Sequence, residues 1–174
     1  SKIQFTAKGG ELEVDIQNND IQMRFPKSSS QLIDDIESLP LNNLNLSPIN
    51  IYQSENALIY ELESETAIQS YTPNTLAMTQ LKQSIHIITA KSDKQSPYDY
   101  VARVFAPNYG INEDPVTGIA HCMLGPLWAE KLNQATLTAY QASKRGGILG
   151  IDVTNDYVIL SGKAVIVVRG DLVE

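Results

Sequence analysis

The chain has 174 residues but only one Cys, two His and one Trp, and its 13 Lys+Arg face 20 Asp+Glu. Each shortage excludes something. The single thiol, Cys122, forms no internal disulfide, which fits a reduced setting. One Cys and two widely separated His, His86 and His121, do not make a structural zinc centre, and no metal is expected. A net charge of −7 without any Lys/Arg cluster repels phosphate backbones, so nucleic acid is not an expected partner. The longest apolar runs, such as Ala164-Val165-Ile166-Val167-Val168, are too short to cross a bilayer, so no membrane partner is expected. No basic stretch followed by an apolar run opens the chain, and a cytoplasmic protein is the expectation.

What remains is an ordinary globular composition, 43% hydrophobic and 19% charged, enough for one good core and a small second piece. Period-two alternation marks three opening strands: Ile3–Ala7, Glu11–Ile16 with Leu12, Val14 and Ile16 on one face, and Ile21–Phe25, which stops at Pro26. Gly9-Gly10 and Asn18-Asn19-Asp20 supply the turns. Ser30 reads as the cap of a short helix over Gln31–Ser38, and Asn42–Pro48 as a loop. Further strands are predicted over 49–52 and 57–62, across the turn Ser54-Glu55-Asn56, and over 85–89, 98–105, 135–142, 148–153, 157–160 and 164–168. Short helices are predicted from Ser64 or Thr66 to Tyr71 and from Asn74 to Leu81. The strongest helix runs from Thr117 to Asn133. Its apolar residues, Ala120, Met123, Leu124, Leu127, Trp128 and Leu132, surround most of its circumference, the mark of a buried helix. Strands flanking one buried helix predict a curved sheet or barrel wrapped around it.

The most informative stretch is Glu113-Asp114-Pro115-Val116-Thr117-Gly118-Ile119-Ala120-His121-Cys122, an acidic turn leading into that helix. Pro115 stiffens the backbone behind a carboxylate, Thr117 is placed to cap the helix, and Gly118 lets the backbone approach a ligand. The helix start offers unpaired N–H groups and a positive dipole end, which suit an anion. Asp114, fixed beside that cradle, is a candidate for orienting substrate or handling a proton. Plainer readings stand beside these. Asp114 also fits a turn cap, Glu113 a partner for Arg103, His121 a core histidine, Cys122 a small buried residue, and Arg145-Gly146-Gly147 a generic turn.

In chain order, several motifs together resemble the PhzF-like isomerases, a family named for phenazine biosynthesis. They are Gly9-Gly10-Glu11-Leu12, Met23-Arg24-Phe25-Pro26, Arg103-Val104-Phe105-Ala106-Pro107, Gly110 to His121, Gln141 to Gly147, and the 165–168 segment before Gly170. The family's central run reads R-x-F-x-P followed by G-x-x-E-D-P-V-T-G-S-A-H. The resemblance implies an α+β fold like that of diaminopimelate epimerase: a mixed β-barrel wrapped around one central helix, two such domains facing each other across a cleft at the helix N-termini. On that pattern residues 1–26 are the terminal strands of an incomplete first domain. Residues 27–48 are a linker with a short helix, and 49–174 a second barrel with its central helix at 117–133, its last strand free to return to the first domain. The first domain's catalytic glutamate and Cys-Gly-His-Ala run have no match, so the chain corresponds to roughly the C-terminal three-fifths of such a protein.

The resemblance further implies a cofactor-independent isomerase or epimerase that moves a proton on a small carboxylate-bearing substrate. Asp114 would be catalytic, and the amides of Gly118, Ile119 and Ala120, with Arg145, Gly146 and Gly147, would bind substrate. Neither cofactor nor metal is expected. The expected partners are a small anionic metabolite and either a second copy of the chain or the missing N-terminal half. The chain alone is expected to be inactive. Ile119 departs from the family pattern, where a serine follows Thr-Gly. Losing one such donor weakens anion stabilisation by about 10²–10³-fold in rate. The alternative from a different class is a non-catalytic small-acid-binding or association module.

Overall fold

The computed structural model describes residues 2–7, 10–17, 20–36, 39–41, 43–54 and 56–171. Its strands are β1 (Lys2–Ala7), β2 (Gly10–Gln17), β3 (Asp20–Pro26), β4 (Gln31–Leu32), β5 (Asn50–Ser54) and β6 (Ala57–Glu61). They continue as β7 (Ile85–Lys91), β8 (Tyr100–Ala106), β9 (Ile111–Asp114), β10 (Thr136–Gln141), β11 (Gly147–Val153) and β12 (Tyr157–Gly162). The helices are α1 (Glu65–Ser70), α2 (Thr75–Met78) and α3 (Gly118–Leu132). The strands form one sheet in the order β1-β2-β3-β12-β11-β10-β8-β7-β6-β5-β4, with β9 paired to β8 off this path. Two neighbouring pairs, β6–β7 and β8–β10, are parallel. Parallel neighbours need a crossover, and α1 with α2 supply the first while α3 supplies the second. The fold is therefore α+β, a mixed sheet with few helices.

Sheet alternation sorts the core into two layers. On one face, Tyr52, Ile59, Ile87, Tyr100, Ala102, Val104, Leu137, Ala139, Leu149, Ile151, Val158 and Leu160 pack with Ala120, Met123, Leu124 and Trp128 of α3. Residues from β5 to β8 and from β10 to β12 thus meet a single helix, which is possible only where the sheet curls around it. On the other face, Leu58, Tyr60, Ile88, Val101 and Phe105 pack with Leu44, Ile68 of α1 and Met78 of α2. Trp128 stacks on Tyr100 with centroids 5.7 Å apart, and its indole N–H donates to Thr89 Oγ1 at 2.9 Å. Near the C-terminal end of α3, Lys131 Nζ meets the buried Glu61 carboxylate at 3.0 Å, and Tyr52 and Asn50 donate to the same oxygen. Asn133, left-handed at φ 53°, ends the helix where it was expected to end.

The sheet runs without a break from the opening strands into the later ones. β3 pairs with β12, so that Met23 lies opposite Leu160 and Phe25 opposite Val158. Further out, Phe5 is 51% exposed and Ile3 43%.

Two expectations fail. Of the expected helix Gln31–Ser38, the described residues 31–36 form no α-helix, for Gln31 and Leu32 pair with β5 and the Ile33 N–H donates to Ile51 O. Ile33 and Ile36 instead pack with Leu39 and Leu41 under the α1–α2 layer, so the apolar spacing reflects a folded-over segment. Residues 164–168 form no strand. Val165 to Val168 are between 71% and 89% exposed, with no neighbouring strand among the described residues to supply hydrogen bonds. The predicted turns at Gly9, Asn18-Asn19 and Glu55, the first residue of the Asn42–Pro48 loop, and positions Glu37 and Ser38, lie outside the described residues.

Candidate active site

The crossover β8–β9–α3–β10 brings the acidic turn, the start of α3 and the end of β10 to one end of the curled sheet. Glu113 and Asp114 close β9 rather than lying in a free turn, with Asp114 opposite Val104. Alternation sends their carboxylates to opposite sides. Glu113 grips Arg103 in a two-point ion pair, Nε to Oε1 at 2.7 Å and Nη2 to Oε2 at 3.0 Å. Arg103 Nη1 also donates to the carbonyls of Ile68 and Tyr71, at 3.2 and 2.7 Å, where the end of α1 leaves acceptors unpaired. The guanidinium is consumed in fastening β9 and α1 to β8, and offers nothing to a ligand.

Asp114, half-buried, points the other way. Its Oδ2 accepts a 2.6 Å hydrogen bond from the Thr117 hydroxyl. Thr117 stands at the N-cap of α3 but makes no side-chain capping bond, contrary to expectation, because its hydroxyl is turned to donate to Asp114 and its oxygen accepts from Gln141 Nε2 instead. Gln141, fully buried as the last residue of β10, does the stitching. Its Oε1 accepts from the Thr117 amide at 2.8 Å, and its Nε2 donates to the Asp114 carbonyl at 2.7 Å and to Thr117 Oγ1 at 3.1 Å. His121 lies 3.3 Å from Gln141 Oε1 through Nε2 and 2.8 Å from the Tyr100 hydroxyl through Nδ1. Burial pulls the His121 pKa down to about 4, so the ring is neutral near pH 7. It braces the site from behind and does not face solvent. Cys122 is only 4% exposed, and burial pushes its thiol up to about 11, which makes it a core residue and not a nucleophile. His86 is equally buried, facing away from α3, with Nδ1 3.1 Å from the Tyr60 hydroxyl.

The Ser143–Gly147 loop is tied to the same turn. Ser143 Oγ donates to Pro115 O at 2.7 Å and accepts from the Gly146 amide at 3.1 Å. Gly146 has φ +72°, a conformation that L side chains seldom adopt, and Gly147 lies so close to Val116 that a Cβ has no room. A shallow cleft of about 450 Å³ is lined by Glu113, Pro115, Ser143, Lys144 and Arg145. Asp114, Gly118 and Ile119 are not in its walls, so the predicted residues do not form a single pocket. At the start of α3, Gly118 is partly open and Ile119 is 60% exposed, whereas Ala120 is fully buried in the core. Ala120 therefore contributes packing, and its amide is closed to a ligand in this conformation.

Gln141 and Ser143 are the site residues that sequence reasoning misses; they lie in the Gln141–Gly147 run, whose arginine and glycines carry the visible signal. Tyr100, which from sequence fits a pocket wall or the core equally well, is a core residue.

A mixed sheet curled about a central helix, with an aspartate held beside the helix N-terminus, defines the class: an α+β protein whose candidate site sits at a helix end. The phenazine biosynthesis-like protein family, PhzC-PhzF, matches residues 1–170, and the chain belongs to that family. It is 38% identical over 170 residues to a protein of Halalkalibacterium halodurans named an uncharacterized isomerase, an alignment covering 98% of this chain and 64% of that protein. A PhzC/PhzF-type protein from Clostridium difficile superposes with a TM-score of 0.88 at 35% identity, covering 100% of this chain and 66% of the other. A PhzF-family protein from Enterococcus faecalis gives 0.84 at 34% identity, covering 93% and 61%. The chain thus spans a little under two thirds of the length of these relatives. No helix among the described residues is long and apolar enough to cross a membrane, and no described group of His, Cys, Asp and Glu is arranged to hold a metal ion.

Proposed function

We propose that this chain supplies one wall of the active site of a cofactor-independent isomerase or epimerase that moves a proton on a small carboxylate-bearing metabolite in the cytoplasm. The observation that carries the reading is the pairing of a half-buried carboxylate with an uncapped helix start. Among the described residues Asp114 is held through Oδ2 alone, and four residues on, the Gly118 and Ile119 amides begin a 15-residue helix that no side chain caps. The free amides and the dipole suit a substrate carboxylate, and Asp114 then lies where it can orient the neighbouring carbon or exchange its proton. Arg145, on the flanking cleft, suits a second anionic group of a longer substrate. The opposing wall, with the second proton-transfer group, would come from sequence the relatives have and this chain does not span.

The test supplies that portion in trans from the Halalkalibacterium halodurans relative and follows solvent deuterium entering a small carboxylic acid. We expect no exchange by the 174-residue chain alone, exchange by the combination, and loss of exchange on Asp114→Asn. Exchange that survives Asp114→Asn would contradict the reading. Ile119→Ser restores the family's hydroxyl at the exposed helix start. It is expected to raise the exchange rate, by up to about 10²–10³-fold if the hydroxyl donates to the developing charge.

One observation favours a second role, association. The side of β1 carrying Ile3 and Phe5 continues the core face of β3 and β12 yet is half exposed. On our reading residues 2–26 belong to a first domain, and this face is covered by the rest of it or by a second copy of the chain. Native mass measurement at micromolar concentration is expected to show self-association. A strict monomer would count against coverage by a second copy.

A further inference from the structure

We propose that Gln141 is a positioning residue that sets a one-way hydrogen-bond chain and leaves Asp114 Oδ1 as the oxygen that meets the ligand. This rests on the reading of Asp114 as facing substrate. The orientation of the Gln141 amide follows from two partners of fixed character. The Thr117 backbone N–H only donates, so the atom 2.8 Å from it is Oε1; the Asp114 carbonyl only accepts, so the atom 2.7 Å from it is Nε2. With Oε1 so placed, His121 Nε2, 3.3 Å away, must carry the ring hydrogen. Nδ1 is then bare and accepts from the Tyr100 hydroxyl at 2.8 Å. On the other side Gln141 Nε2 donates to Thr117 Oγ1, and the Thr117 hydroxyl sends its own hydrogen to Asp114 Oδ2 at 2.6 Å.

Every hydrogen therefore runs in one direction, from Tyr100 through His121, Gln141 and Thr117 to Asp114. The chain ends by donating to a carboxylate oxygen. A proton arriving on Oδ2 would face the Thr117 hydrogen and could be accommodated only by turning that hydroxyl against Gln141, which donates to it. Oδ1 has no partner among the described residues and is open to exchange. A proton taken from substrate thus forms its new bond at Asp114 Oδ1 and leaves from the same atom. Gln141 never touches the ligand in this scheme. It acts by holding Thr117, and the buried, neutral His121 holds Gln141.

Ring ¹⁵N spectra of the 174-residue chain test the direction. In the wild type we expect neutral His121 with its hydrogen on Nε2, and a protected Thr117 hydroxyl proton resonance. In Gln141→Leu the acceptor opposite Nε2 is gone, so the hydrogen moves to Nδ1, where Tyr100 accepts it, and the hydroxyl resonance is lost. A wild-type hydrogen on Nδ1, or an unchanged tautomer and hydroxyl resonance in Gln141→Leu, would overturn the proposal. If Gln141→Leu does not fold, Thr117→Val cuts only the last link. Then the Asp114 carboxyl ¹³C resonance should shift while His121 keeps its Nε2 hydrogen, and an unmoved Asp114 resonance would overturn it. None of these signals needs a ligand. A failure of the isomerase reading would show instead as exchange that is indifferent to Asp114.

Discussion

Trp128→Ala is expected to lower the stability of the fold by about 3–5 kcal/mol, measured as a fall in urea midpoint with little change in slope. The indole is 2% exposed and lies between α3 and the sheet. Its loss removes the stack on Tyr100 and opens a cavity that the curled sheet cannot collapse to fill. It also leaves Thr89 Oγ1 without its 2.9 Å donor, although that hydroxyl keeps its own bond to Val101 O. Tyr100 is the outer member of the chain of bonds that reaches Asp114, so the damage should spread to the site. Trp128→Phe, which keeps a ring but not the N–H, should cost less than half as much. Equal losses for the two variants would mean that packing around α3 is not what holds the sheet closed.

Acid should weaken the fold well before the carboxylates titrate. Burial holds His121 at about 4, against 6.5 for an ordinary histidine. Between those values the unfolded chain binds a proton that the folded chain refuses, so unfolding takes up a proton and stability falls as pH falls. The contribution is fully present above about 6.5 and is lost towards 4. Integrated from pH 7 to pH 5, His121 alone accounts for about 2 kcal/mol. Burial lowers the pKa of His86 as well, and its effect has the same sign. Urea unfolding at a series of pH values measures this directly. A stability that is flat between pH 7 and 5 would mean that His121 is not buried and neutral.

Much of the architecture was readable because its signals are local. The helix at 117–133 was betrayed by apolar residues on every side, and only a wrapped helix can bury them all. Ser64 and Asn74 cap α1 and α2, as short polar residues before helical runs should. The misreadings have a common cause. Leu32, Ile33 and Ile36 have helical spacing, but Leu32 pairs with β5 and stays 51% exposed, and the burial of Ile33 and Ile36 comes from the α1–α2 layer, which local periodicity does not reveal. Residues 164–168 have the β-branched composition of a strand, yet a strand exists only against a neighbour. Asp114 and the helix start beside it stand out in the sequence as candidates. The residues that hold Asp114 do not. Gln141 and Tyr100 are brought to it by the parallel pairing of β8 with β10, in which Ala102 lies opposite Gln141 and Tyr100 opposite Ala139. A buried glutamine whose bonds all reach distant residues has no local signature.

If the first amides of α3 form an open anion cradle beside Asp114, acetate will find it. Titrating the ¹⁵N-labelled chain with acetate is expected to give saturating shifts centred on the Gly118 and Ile119 amides and absent from Ala120's buried neighbours Met123 and Leu124. Shifts confined to Lys144 and Arg145, with Gly118 and Ile119 unmoved at saturating acetate, would mean that the helix start holds no anion.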